Sequence, residues 1–178
     1  GLQAYLPLDG IVANQTPDLS GYGRNGAVDT NVNVVGGIRG NAFDFPDNNN
    51  GDVELTGYDG ITGDAVRSGA AWVRFEGTDP NQGIMHWGQN TGGQKWTFRT
   101  QDGNGPIDGN IRLEVNGGYI VGNTDIRDGQ WHHVAGTFEA TSGPNANGVY
   151  TIELPEGNWT VKVMAEGYLN VVKVQVMQ

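Results

Sequence analysis

The sequence predicts an all-β chain folded as a two-sheet antiparallel sandwich, on three observations. Its 30 glycines, many of them in GG, DG and NG pairs, supply turn after turn. Between those turns lie short runs in which apolar and polar residues alternate with a period of two. No stretch carries the 3.6-residue apolar repeat of an amphipathic helix. Many short strands with one buried face are most simply satisfied by two sheets packed on each other.

At 178 residues the chain is long enough to bury a sizeable core, and with no cysteine it has no disulfide staples. Its length fits one domain. A formal net charge of −10 excludes nucleic acid and anionic membrane surfaces as natural partners. Nothing in it resembles a transmembrane span or a signal peptide.

The strands follow in order. Residues 4–10 (AYLPLDG) read as an opening strand and 25–35 (NGAVDTNVNVV) as the next. Residues 40–47 and 51–57 flank DNNNG, a loop made of turn formers. Residues 58–67 are the one place for a short helical turn. In 68–77 (SGAAWVRFEG), Ala71, Val73 and Phe75 share one face while Trp72 and Arg74 share the other. Strands at 83–89, 95–101, 110–117 and 119–125 come next. In NIRLEVNG the alternation is clean: Ile111, Leu113 and Val115 point inward, Arg112, Glu114 and Asn116 outward. Asn116-Gly117-Gly118 then turns the chain into a hairpin.

The segment DGQWHHVAGTF (128–138) sets two histidines side by side. On a strand, His132 and His133 point to opposite faces and cannot ligate one ion together. A structural role is expected: one histidine packed beside Trp131 or Val134 and hydrogen-bonded, the other facing a neighbouring strand or solvent.

Taken in order, these motifs resemble the laminin-G-like jelly roll of the concanavalin A-like lectin/glucanase superfamily. The resemblance rests on Tyr5, Leu8 and Asp9; on Asp18, Ser20, Gly21, Gly23, Asn25 and Gly26; on Phe43 and Asp44; on Ala71, Trp72 and Val73; and on Trp131 to Ala135. It covers about residues 2–140. It implies the jelly-roll sandwich and a secreted or cell-surface module of bacterial origin. Because the superfamily hosts lectins, adhesins, glycanases and spacers, the fold leaves the function open.

The tail departs from that pattern. After TSGPNAN (141–147), residues 148–178 resemble the closing strands of a carboxypeptidase-regulatory-like β-sandwich, through Gly148, Tyr150, Pro155, Gly157, Trp159, Val161, Gly167 and Tyr168. That piece is too short to bury a core alone. Its alternating sets are Tyr150, Ile152 and Leu154; Trp159, Val161 and Val163; Val172, Val174 and Val176. The expectation is a single 1–178 domain in which 141–178 supply divergent closing strands.

Candidate chemistry is sparse. As EF-hand loops, 102–110 and 47–52 fail, with Ile107 and Asp52 where glycine is required. The resemblance implies instead a structural calcium in the N-terminal loop, held by Asp18 and Asn25 with Asp9 or Asp44; the same residues also suit simple Asx-turns. The Glu-x-Asp-x-x-Glu strand of the retaining glucanases is absent, and no nucleophile elbow or P-loop exists, so no enzyme is expected. Sugar binding calls for aromatic platforms and planar polar groups, and Trp87, Tyr119, Arg74, Arg99, Arg112 and Glu114 are the candidates. Trp72, Trp96 and Trp131 occupy strand positions where a core wants bulk, while Trp87, at a strand end, is open between core and platform. The expected function is a non-catalytic carbohydrate-binding or adhesive module whose partner is a polysaccharide or glycan. The alternative is a structural or protein-interaction spacer.

Overall fold

The computed structural model describes residues 1–46, 51–63, 65–77, 81–91, 94–103, 108–115, 118–140, 148–153 and 162–165. They divide between two units, Gly1–Tyr58 and Asp59–Gln178. All regular structure among them is antiparallel strand, in keeping with the predicted all-β class.

In the first unit, β1 (Gln15–Thr16), β2 (Gly26–Val28) and β5 (Val53–Glu54) form a sheet in the order β1-β2-β5. β3 (Asn33–Gly36) and β4 (Asn41–Asp44) form a separate hairpin. Val28, Val32 and Phe43 are its buried core, with Leu8, Ile11 and Val53 packed against them. Gly26 has no room for a side chain, since a Cβ there would run into Val53.

Two strand expectations change here. Residues 4–10 form no strand: Pro7 has no N–H to donate, and Leu8 sits at φ 60°, which breaks the extended run. The run 25–35 splits into β2 and β3 at a turn in which the Val32 N–H donates to the Asp29 carbonyl (3.1 Å).

The second unit contains β6 (Arg67–Val73), β7 (Gly83–Trp87), β8 (Trp96–Thr100), β9 (Asn110–Val115), β10 (Gly118–Asp125), β11 (His132–Ala140), β12 (Gly148–Glu153) and β13 (Lys162–Ala165). One sheet runs β13-β10-β9-β8-β7, the other β12-β11-β6. The expected hairpin is present, with Val115 paired to Gly118. Of the three tail runs, Leu154, Trp159, Val161 and the whole of Val172 to Val176 lie outside the described residues. No helical turn occurs among the described residues of 58–67, where Gly60 and Gly63 adopt left-handed φ values of 74° and 64°.

The alternation read in the sequence decides which face is covered. Trp96, Phe98, Ile111, Leu113, Val115 and Ile120 from the five-stranded sheet meet Val134 and Phe138 from the three-stranded one in a single buried cluster, joined by Ala71, Val73 and Phe75. The two sheets therefore stack face to face, as predicted. Glycines mark the close approaches: a Cβ at Gly136 would lie 3.1 Å from a Leu113 methyl group, and one at Gly69 would lie 2.5 Å from the Met85 sulfur. Trp96 is core, as its strand position suggested. Trp72 is not: it is 51 % exposed, because it has the opposite parity to Ala71 and Val73 on β6.

Leu113→Ala is expected to cost about 2–5 kcal/mol, a buried leucine lost from between two sheets, read as a lower midpoint in chemical denaturation. Gly88→Ala should unfold the β7–β8 turn: φ is 80° there, and an added Cβ would collide with the Gln94 carbonyl oxygen. A soluble, wild-type-like Gly88→Ala would contradict this backbone.

Candidate functional site

Arg112 and Glu114 alternate with the buried Ile111, Leu113 and Val115 on β9, so they stand on the outer face of the five-stranded sheet. The same parity on β8 turns Thr97 and Arg99 outward. Register places Arg99 directly opposite Arg112, and Glu114 between Thr97 on one side and Tyr119 on the other. Two guanidinium groups facing each other across strands repel. Glu114 resolves the repulsion. Its carboxylate accepts from Lys95 Nζ (2.8 Å) and pairs with Arg112 (2.7 Å) and Arg99 (3.4 Å).

The network extends outward. Arg99 also donates to Asp102 (3.2 Å) and to Asn81, and Arg112 donates to the Gln101 side-chain oxygen (3.0 Å). The Arg112 guanidinium lies 3.7 Å over the Tyr119 ring. Burial pushes the Glu114 carboxyl up, but the Lys95 hydrogen bond and the charges of Arg112, Lys95 and Arg99 outweigh it and hold the group below its ordinary value. Burial likewise opposes, and Arg99 overcomes, the shift at Asp102, which also ends below its ordinary value. Lys95, Arg99 and Arg112 against Glu114 and Asp102 leave this face with a cationic excess on a chain of net charge −10.

The structure thus brings together Arg99, Arg112, Glu114 and Tyr119. It places the other two sugar candidates elsewhere. Trp87 stacks on the buried Trp96 (centroids 5.3 Å apart, planes at 16°), and its indole N–H donates to the Ile61 carbonyl at 2.7 Å. Gly60 presses so closely on that ring that a Cβ there would overlap it. Trp87 is therefore an edge of the core. Arg74 continues the line of β6, pairs with Glu76 (2.9 Å) and lies over Trp131 (5.4 Å). Lys95 is the member that sequence reading passed over, although it shares the parity of Thr97 and Arg99 in KWTFRTQ.

The histidines take structural positions of the expected kind. His132 donates through Nε2 to Asp128 (2.9 Å), while the exposed His133 lies against Trp72 on the neighbouring strand, ring centroids 5.2 Å apart.

The proposed calcium ligands do not assemble into a cation site. Asp18 accepts the N–H groups of Tyr5 and Ser20 on Oδ1 (2.9 Å each), and the Ser20 hydroxyl (2.7 Å) and the Arg24 N–H (3.0 Å) on Oδ2. An ionised carboxylate offers roughly four lone-pair sites, and these donors use them. Asn25 accepts the Asp18 N–H (3.1 Å), Asp9 is engaged by Asn41 (3.0 Å), and Asp44 by the Asn33 amide (3.4 Å). Among the described residues no group of three His, Cys, Asp or Glu side chains converges as a metal site. The donor set suits N–H groups rather than calcium, and the Asx-turn alternative describes it. The Ser20 hydroxyl first, then the Tyr5 N–H, hold the Asp18 carboxyl well below the usual carboxylate range.

The family pattern of the laminin-G-like domains matches residues 47–152, which take in β5 to β11 and nearly all of β12. The chain belongs to the concanavalin A-like lectin/glucanase superfamily. The match to this superfamily reaches beyond residue 140, where the resemblance in the sequence stops, and leaves out the motifs at Tyr5 to Asp44. No curated protein and no solved structure matches the chain.

A group whose folded pKa is depressed stabilises the fold above its unfolded pKa and loses that contribution as pH falls through the folded value. Wild type should therefore lose stability on acidification below the ordinary carboxylate range, and Asp18→Asn should lose less over the same interval. Its melting temperature should not respond to calcium or to a chelator; a calcium-dependent rise abolished by Asp18→Asn would overturn the hydrogen-bonded reading. Glu114→Ala, which leaves Arg99 facing Arg112 uncompensated, should cost about 1–3 kcal/mol in urea denaturation.

Proposed function

We propose that the protein is a non-catalytic carbohydrate-binding or adhesive module, acting outside the cell, whose glycan contact is the outer face of the five-stranded sheet around Arg99, Arg112, Glu114, Tyr119 and Lys95. The observation that carries the reading is the preorganised set of planar donors and acceptors tied together by Glu114. Sugar hydroxyls and carboxylates are recognised by such groups, and fixing them beforehand lowers the ordering cost of binding. The cationic excess favours sugars that carry carboxylates. Non-catalytic action is supported by the sequence, which lacks the paired-carboxylate Glu-x-Asp-x-x-Glu strand of the retaining glucanases.

A shallow face of this kind would bind a single sugar at about millimolar Kd, roughly −4 kcal/mol, and gain retention through repeated contacts along a polymer. Wild type should be retained on a polygalacturonate gel and elute as salt rises. Arg112→Ala and Lys95→Ala should each elute earlier. Retention unchanged in both variants would discard this face. The ion pairs also satisfy one another, which favours the alternative of a spacer; that reading stands if wild type is retained on no glycan gel.

Residues 141–178 are proposed to complete the body of a single domain. Support comes from β12 hydrogen-bonding along β11 from Ala135 to Ala140, and from β13 pairing with the outer edge of β10. Without them both edges are open to aggregation. Truncation after Ala140 should give insoluble protein; a soluble 1–140 fragment with a cooperative melt would refute the assignment.

A further inference from the structure

The outer face of the three-stranded sheet holds a second arrangement, unlike the first. Register sets Ser68 opposite Thr137, Ala70 opposite Ala135 and Trp72 opposite His133. Gly69, Ala71 and Val73 alternate with them and face the core, as do Val134, Gly136 and Phe138 on β11. The outward side chains therefore form a floor of small residues, from which Trp72 and His133 rise at one end. The two rings are tilted by 58°, with their centroids 5.2 Å apart. Next along the strands, Arg74 lies over Trp131 and is neutralised by Glu76.

An indole 51 % exposed on a rigid sheet forgoes hydrophobic stabilisation that burial would give. What it keeps is a flat apolar surface bordered by an imidazole and a guanidinium. We propose that Trp72 is the stacking platform of a second carbohydrate site, taking a neutral polysaccharide of equatorially linked pyranose rings. Such rings present flat C–H faces that match an indole, and their equatorial hydroxyls project sideways to polar neighbours. Beside the indole, Ser68 and Ala70 of the same strand are exposed and small. Charge selects the neutral polymer. The Arg74 charge is offset by Glu76, so this face has no cationic excess to draw a polyanion toward a chain of net charge −10.

The inference rests on the carbohydrate-binding reading but uses the opposite sheet, which makes the two separable. The full chain is run in native affinity gels containing hydroxyethylcellulose or xylan as neutral probes, and polygalacturonate as the acidic one, with tryptophan fluorescence titrations in parallel. Wild type should be retarded by a neutral probe. Trp72→Ala should weaken that retardation about tenfold in apparent Kd while leaving polygalacturonate retention intact, and Arg112→Ala should show the reverse. Trp72→Tyr should recover part of the neutral binding, and His133→Ala tests the same face if Trp72→Ala fails to fold. Neutral binding unchanged in Trp72→Ala, or absent in wild type that still binds polygalacturonate, overturns the platform and spares the first face. Trp72→Ala that alters only the oligomeric state assigns the surface to a second copy of the chain and also overturns the proposal. Wild type that ignores every probe defeats both readings.

Discussion

Leu113 packed against the bare backbone of Gly136, with Met85 against Gly69, holds the two sheets of the second unit together around one core. A side chain at position 136 would push against the leucine, and the interior around Trp96, Phe98, Ile111 and Val134 would have to give way. Everything outward follows from that contact. Once Leu113 faces in, the strand's period of two obliges Arg112 and Glu114 to face out, and pairing to β8 then obliges Arg99 to meet Arg112. A one-residue slip of β9 would bury its two charges and expose the core, so the register of the polar face is enforced by the apolar one.

The outer face of the five-stranded sheet is thus an electrostatic problem solved locally. Two like charges are forced into opposition, and Glu114 is the group that reconciles them with Lys95 alongside. The same network that stabilises the sheet also freezes the guanidinium groups in one arrangement, which is what a recognition surface requires. Structural and binding roles are not rivals at such a site, because rigidity serves both. The Trp72 face works differently: its order comes from strand geometry and a neighbouring imidazole rather than from ion pairing.

In the first unit, one carboxylate does the organising. Asp18 gathers backbone N–H groups from Tyr5, Ser20 and Arg24, and so pins the segment around Tyr5 to the glycine-rich loop. Arg24 adds to this by donating to the Gln3 carbonyl (2.6 Å) and lying over Tyr22 and Tyr58 at 4.3 and 4.0 Å.

The sequence by itself determined the fold class, the pairing signals and the inward set of β9, because glycine-rich turns and a period of two are local properties of the chain. It also separated His132 from His133, and Ala71 from Trp72, for the same reason. The tertiary structure alone decided which of the candidate side chains share a face. Trp87 has the composition of a sugar platform, yet it is taken by Trp96 across the β7–β8 pairing and by Gly60, far back along the chain. Arg74 has the chemistry of the polar face but belongs to the other sheet, and Lys95 joins that face through a carboxylate 19 residues on. Residues 4–10 lost their strand to a proline and a left-handed leucine. Convergence between strands depends on register and sheet order, which are set by burial across the whole sandwich and are not written in any single segment.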